Sequence, residues 1–167
     1  VVDAISSLGA IDLPVDAWGC EVVVTASQKA WMAPPGLAMV SVSERAWPLV
    51  ETARAPRFYW DFRTIKKYAE RGQMPFTPAL STMYGLRCSL ELMAEEGLAH
   101  IFARHRRVGR YTRERIKALG LELLADKNPS DTVTAVRVPA GVDEGELLRK
   151  LCQEKGVILA GGQGPLK

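Results

Sequence analysis

The chain has 167 residues, 47% of them hydrophobic and 25% charged, and its net charge is only +3. That is apolar material enough for one packed domain or for parts of two, and too even a charge balance to point to a nucleic-acid partner. No apolar run approaches the roughly 20 residues of a membrane span and no charged start leads into an apolar leader block, so a soluble, cytoplasmic protein is expected.

The opening "VVD" reads as the end of a strand running into a loop at Asp3. "CEVVVT", residues 20–25, is a short β-branched run suited to a buried strand, and Pro34-Pro35-Gly36 is a turn that sends a further strand, "LAMVSVS", away from it. Buried strands of this kind call for helices on both faces, which makes the expected fold α/β with a mostly parallel sheet. Lys29, in the Ser-Gln-Lys turn, and Asp3 then lie at one edge of that sheet, where α/β folds place their ligands. Residues 54–78, rich in aromatics and charges and without a clean period, read as a long connection, and loops of that length are usually functional.

From Ala79 the period is helical, with Leu80, Met83, Leu86, Leu90 and Met93 at three- and four-residue steps. Gly97 interrupts, and a second helix runs to about Leu119 with Ile101, Val108, Ile116 and Leu119 on its inner stripe and Gly120 as its stop. His105 shares that stripe and reads as a partly buried structural residue; the basic run at residues 104–117 reads as a solvated helix face. Strands are expected at "LELLA", "TAVRV" and "VILA", with a helix from an Asp143 cap to Gly156 that turns Leu147, Leu148 and Leu151 inward. This αββαβ run forms a small lobe, giving a division into residues 1–96 and 97–167. Cys20, Cys88 and Cys152 are odd in number and far apart, so buried free thiols are expected and no metal site. The terminal "GGQG" is a weak phosphate motif and reads as a turn.

Taken singly, Lys29 is a surface lysine and Asp3 a turn residue. Together, at one sheet edge, they suggest an amine that can be desolvated and turned on a carbonyl, with an acid nearby; Schiff-base chemistry is the natural candidate.

The loop Asp3-x-x-Ser6-Ser7-Leu8-Gly9, the turn Ser27-Gln28-Lys29 and the segment Phe76-Thr77-Pro78 occur in the order found in a known family. Across essentially its whole length the chain resembles the class V, fold type I pyridoxal-phosphate aminotransferases, especially the alanine/serine–glyoxylate and serine–pyruvate group. The resemblance implies the later part of a cofactor-binding large domain over residues 1–96 and an incomplete small α+β domain over residues 97–167. It makes Lys29 the lysine of the internal aldimine with pyridoxal 5'-phosphate, Asp3 the partner of the pyridine nitrogen and Ile5 a residue against the ring. Gln28 falls on the phosphate or hydroxyl side, and Thr77 reaches the phosphate of a partner subunit, so a homodimer with a shared active site is implied. Small amino acids and 2-oxo acids are the implied substrates. Some relatives have a Tyr near Met74 that contacts the phosphate, and Met74 cannot make that bond. The family's substrate-carboxylate arginine falls beyond the last residue, and its phosphate loop before the first, so both ends look cut and the chain alone is expected to be a poor catalyst; Arg137 does not replace that arginine. Two alternatives stand beside this reading. One is a cysteine desulfurase or related lyase, although those carry His where this chain has Gln28. The other is a non-catalytic interaction subunit, since some members of the family carry the label of hydrogenase subunits.

Overall fold

The computed structural model describes residues 1–164. It forms two compact units, Val1–Arg107 and Val108–Lys167. Within the first, three strands make one sheet in the order β1 (Val2–Asp3), β2 (Val22–Ala26), β3 (Ala38–Val42). β1 and β2 are parallel, with Val2 beside Val23 and Asp3 beside Val24, and Ala4 N–H extends the ladder to Val24 O at 2.9 Å. β2 and β3 are antiparallel. The connection between them is too short for the crossover that a parallel partner needs, so the sheet is mixed. β2 alternates in burial although its sequence does not, with Val23 and Thr25 buried on one face and Val22, Val24 and Ala26 half-buried on the other.

The stretch expected as a long loop, residues 54–78, contains the helix α2 (Phe62–Ala69), and the short helix α1 (Trp47–Thr52) precedes it. Asp61 caps α2, its side chain accepting from Arg63 N–H at 3.0 Å. Arg63 Nη2 also donates to Asp61 Oδ2 at 2.7 Å, and Arg57 Nε lies 3.5 Å from Oδ1. The Arg63 hydrogen bond, chiefly, holds the Asp61 carboxyl down at about 2. Lys66 Nζ sits 4.2 Å over the Trp47 ring and ties the two helices together. Beyond Asp61 the apolar positions Phe62, Ile65 and Tyr68 have helical spacing, but eight residues are too few for the period to stand out among so many aromatics.

α3 (Leu80–Glu96) and α4 (Leu98–Ala118) form as expected, with Gly97, at φ 81°, between them. The positions that α3 buries are Ser89 and Met93. On α4, Ile101 is buried and Ile116 half-buried, whereas Val108, and Leu119 just past the helix end, are 55% and 70% exposed, so the expected inner stripe holds in part. Helical spacing shows which residues share a face; what covers the face depends on other segments. His105 is half-buried, with Nδ1 2.9 Å from Ile101 O, in keeping with a structural role. The basic run is a solvated face laced with ion pairs: Arg104–Glu96, Arg110–Glu114, Arg113–Asp131 and Lys117–Asp126.

In the second unit, α5 (Glu144–Lys155) has the expected caps, Asp143 Oδ1 accepting from Glu146 N–H at 2.7 Å and Gly156 in the left-handed region. Leu147, Leu148 and Leu151 are half-buried. The strands expected at "LELLA" and "TAVRV" reduce to one antiparallel bridge, Leu123 to Val136, with Leu124 N–H on Ala135 O and Arg137 N–H on Glu122 O. "VILA" is not a strand: no described segment pairs with it, and Ile158 is 84% exposed. A β-branched run becomes a strand only where a neighbour takes its backbone hydrogen bonds. In "GGQG", Gly162 N–H is already taken by Glu144 Oε1 at 2.8 Å. The three cysteines are free, as expected, but not buried: Cys88 and Cys152 lie on exposed faces of their helices and Cys20 is half-buried. Among the described residues no His, Cys, Asp or Glu group could hold a metal ion, and no helix is long and apolar enough to cross a membrane.

Candidate active site

β1 and β2 run in the same direction, so the segments that leave them emerge at one edge of the sheet. The first begins at Asp3. Its Oδ1 accepts from Ile5 N–H at 2.9 Å, an Asx turn that orients the carboxylate at the strand end. Buried Ala4 follows, its carbonyl accepting from Leu8 N–H at 3.0 Å, and the chain turns tightly through Ser7 to buried Gly9 and Ala10.

The second segment is the turn of Lys29. Ser27, fully buried, donates from Oγ to Pro34 O at 2.6 Å and accepts from Leu37 N–H at 3.3 Å. Its backbone closes the same loop, with Ser27 N–H on Leu37 O at 3.1 Å and Ala33 N–H on Ser27 O at 3.0 Å. The chain between forms the turn, with Gln28 and Lys29 exposed at its crest. Trp31 turns its indole N–H back to Thr25 Oγ1 on β2, at 2.9 Å.

The two segments touch at Gly9. A methyl group there would lie 3.3 Å from Met93 Cε, 3.5 Å from Ala30 Cβ and 3.7 Å from Trp31 Cε2, so the Asp3 loop, the Lys29 turn and α3 meet at a residue with no side chain. Its φ of 96° also favours glycine. Asp3, Ile5, Gln28 and Lys29 thus belong to two adjoining segments at one sheet edge, Ile5 half-buried and the other three exposed. Thr77 is exposed in the irregular segment ahead of α3, outside the two segments that carry Asp3 and Lys29. Sequence reasoning missed Ser27, Gly9 and Ser89 as parts of this arrangement. The first two lie inside motifs it singled out; Ser89 had no signal, because a serine in a helix reads as surface.

The chain matches the family model described as Aminotransferase class-V over residues 1–165. It is 47% identical to the small subunit of a soluble hydrogenase from Synechococcus sp. (strain PCC 6716), over all of this chain and 44% of that protein. It is 39% identical to the serine–glyoxylate aminotransferase of Arabidopsis thaliana, over 97% of this chain and 41% of that one. Among solved structures it superposes on the alanine–glyoxylate aminotransferase of Nostoc sp. with a TM-score of 0.89 and 34% identity, over 99% of this chain and 45% of that one. The chain spans less than half the length of these relatives. Its mixed α/β architecture is that of the fold type I pyridoxal-phosphate aminotransferases, and by the match over nearly its whole length the chain belongs to the class V aminotransferase family.

Proposed function

We propose that the protein transfers an amino group from a small amino acid, alanine or serine, to glyoxylate or pyruvate, with pyridoxal 5'-phosphate as carrier. The observation that carries this reading is the exit of Asp3 and Lys29 from adjacent parallel strands at one sheet edge, on segments that touch at Gly9. The donor set fits the cofactor: a primary amine suits an aldehyde, and a carboxylate suits a basic ring nitrogen. Bound there, pyridoxal phosphate supplies an electrophilic aldehyde and a ring that withdraws electrons.

The residues of the chain do the rest. With the cofactor bound, Lys29 Nζ would hold its aldehyde and, once released by the substrate amine, would carry the proton from the substrate Cα to the cofactor's C4′, and in the opposite direction in the second half of the reaction. Asp3 holds a proton on the ring nitrogen, its carboxylate already oriented by the Ile5 N–H. Ile5 packs on the ring, Gln28 binds on the phosphate side, and Thr77 serves the phosphate of a second copy in a homodimer. Residues 1–96 belong to the cofactor-binding domain and residues 97–167 to the small domain, and the protein works in the cytoplasm. The names of the serine–glyoxylate and alanine–glyoxylate relatives support the choice of substrates.

The name of the Synechococcus relative favours a second reading, an interaction subunit that keeps the fold. An amino-transfer assay on the full-length protein separates the two: alanine or serine with glyoxylate should yield glycine in the presence of pyridoxal phosphate. Sulfide released from cysteine instead would indicate a desulfurase, and no turnover with any donor would favour the interaction subunit.

A further inference from the structure

The turn that carries Lys29 is closed at its base by the backbone of Ser27 and has few backbone bonds over its crest. Met32, a residue with a side chain, stands at φ 53°, in the left-handed region that favours glycine, and the only local backbone bonds over the crest are Met32 N–H to Lys29 O at 2.9 Å and Ala33 N–H to Ser27 O at 3.0 Å. Side chains add the rest of the hold. Trp31 Nε1 donates to Thr25 Oγ1 on β2, and Ser89 on α3, 4% exposed, donates its hydroxyl to the carbonyl of that same Trp31. One residue two places from Lys29 is therefore gripped from both sides, by the sheet through its indole and by a helix 58 positions away through its backbone. Met93, one helical turn beyond Ser89, reaches the same spot at Gly9.

We propose that Ser89 and Trp31 are positioning residues for Lys29: together they clamp the turn between β2 and α3, so that Nζ is presented at the edge where Asp3 emerges. This rests on the assignment of Lys29 as the cofactor lysine, but the clamp itself is a property of the turn and can be measured without the cofactor.

The test uses the protein with Ser89→Ala, Ser89→Thr and Trp31→Phe. Hydrogen exchange is followed at the amides of Met32 and Ala33 and, as a control, at Val23 and Val24. Borohydride-fixed labelling of Lys29 by pyridoxal phosphate is timed in parallel. Loss of one hydrogen bond of ordinary strength should speed exchange at Met32 and Ala33 about tenfold in the Ala and Phe variants. The control amides should not change. Labelling of Lys29 should slow in the same two variants, and Ser89→Thr, which keeps the hydroxyl, should restore both readouts. Unchanged exchange at Met32 and Ala33, or a rise shared equally by β2, would overturn the clamp. Labelling that stays at the parent rate while exchange rises would show that the clamp does not position the amine, and would overturn the proposal too. If the parent protein takes no label at Lys29, the cofactor assignment fails, and with it the role of the clamp in presenting the amine, while the exchange data still report whether the turn is held.

Discussion

Gly9 lies against Trp31 so closely that a Cβ on the glycine would come within 3.7 Å of the indole, and this contact joins the loop that starts at Asp3 to the turn that carries Lys29. Asp3 is in register with Val24, and β2 runs on in the same direction for two more residues, to Ala26, before the Lys29 turn begins. The placement of acid and amine is thus decided by a strand pairing and one residue without a side chain.

Replacing Gly9 with Ala should therefore cost both stability and function. The left-handed φ of 96° strains any side chain, by roughly 1–3 kcal/mol, and Met93 Cε, at 3.3 Å from the new methyl, must move. Thermal unfolding should show the loss, and labelling of Lys29 by pyridoxal phosphate should slow. Equal stability and equal labelling in the variant would show that the two segments are not coupled there.

The pairing edge and the caps were legible in the sequence because each rests on local chemistry. Val22 to Val24 are β-branched between turn residues, and Asp143 and Gly156 bracket the period of α5. The failures share a cause of another kind. The run at residues 157–160 has the composition of a strand but no described neighbour to pair with, and Val108 and Leu119 have the right spacing but nothing over them. Ser89 was invisible for the converse reason: a polar residue on a helix is buried only because the Trp31 carbonyl, far away in sequence, needs a donor.

Asp61 should report on the region that the sequence disguised as a loop. Its carboxyl is held at about 2, against an ordinary 3.8, chiefly by the Arg63 hydrogen bond. A depressed carboxyl stabilises the fold above its unfolded value, so this contribution is complete above 3.8 and disappears as pH falls through about 2. An NMR titration should place the Asp61 midpoint below those of exposed aspartates, and Asp61→Asn should flatten the acid dependence of α2 helicity. An ordinary midpoint would show that the bond to Arg63 does not persist in solution.

In the second unit, Gly109 on α4 supports the segment at Ser130 and Asp131. A Cβ there would stand 2.9 Å from Asp131 O, and Arg113 grips the same segment through Ser130 O at 2.7 Å and Asp131 Oδ1 at 3.1 Å. Gly109→Ala should destabilise this unit by roughly 1–3 kcal/mol through overpacking against backbone, even though alanine is the better helix former. Denaturant unfolding of the variant checks it; a gain in stability would mean that the segment gives way freely.

The central claim is that Lys29 is the amine that takes the cofactor, with Asp3 at its ring nitrogen. It is tested most directly by adding pyridoxal phosphate to the parent protein, Lys29→Ala and Asp3→Asn, reducing with borohydride and mapping the labelled peptide. The account predicts a label on Lys29 in the parent and none at that peptide in Lys29→Ala. In Asp3→Asn the label should form, but amino transfer should fall by about two to three orders of magnitude, the usual loss when a fixed electrostatic partner of the developing charge is removed. A label on another lysine, or an Asp3→Asn variant that transfers amino groups at the parent rate, would contradict it.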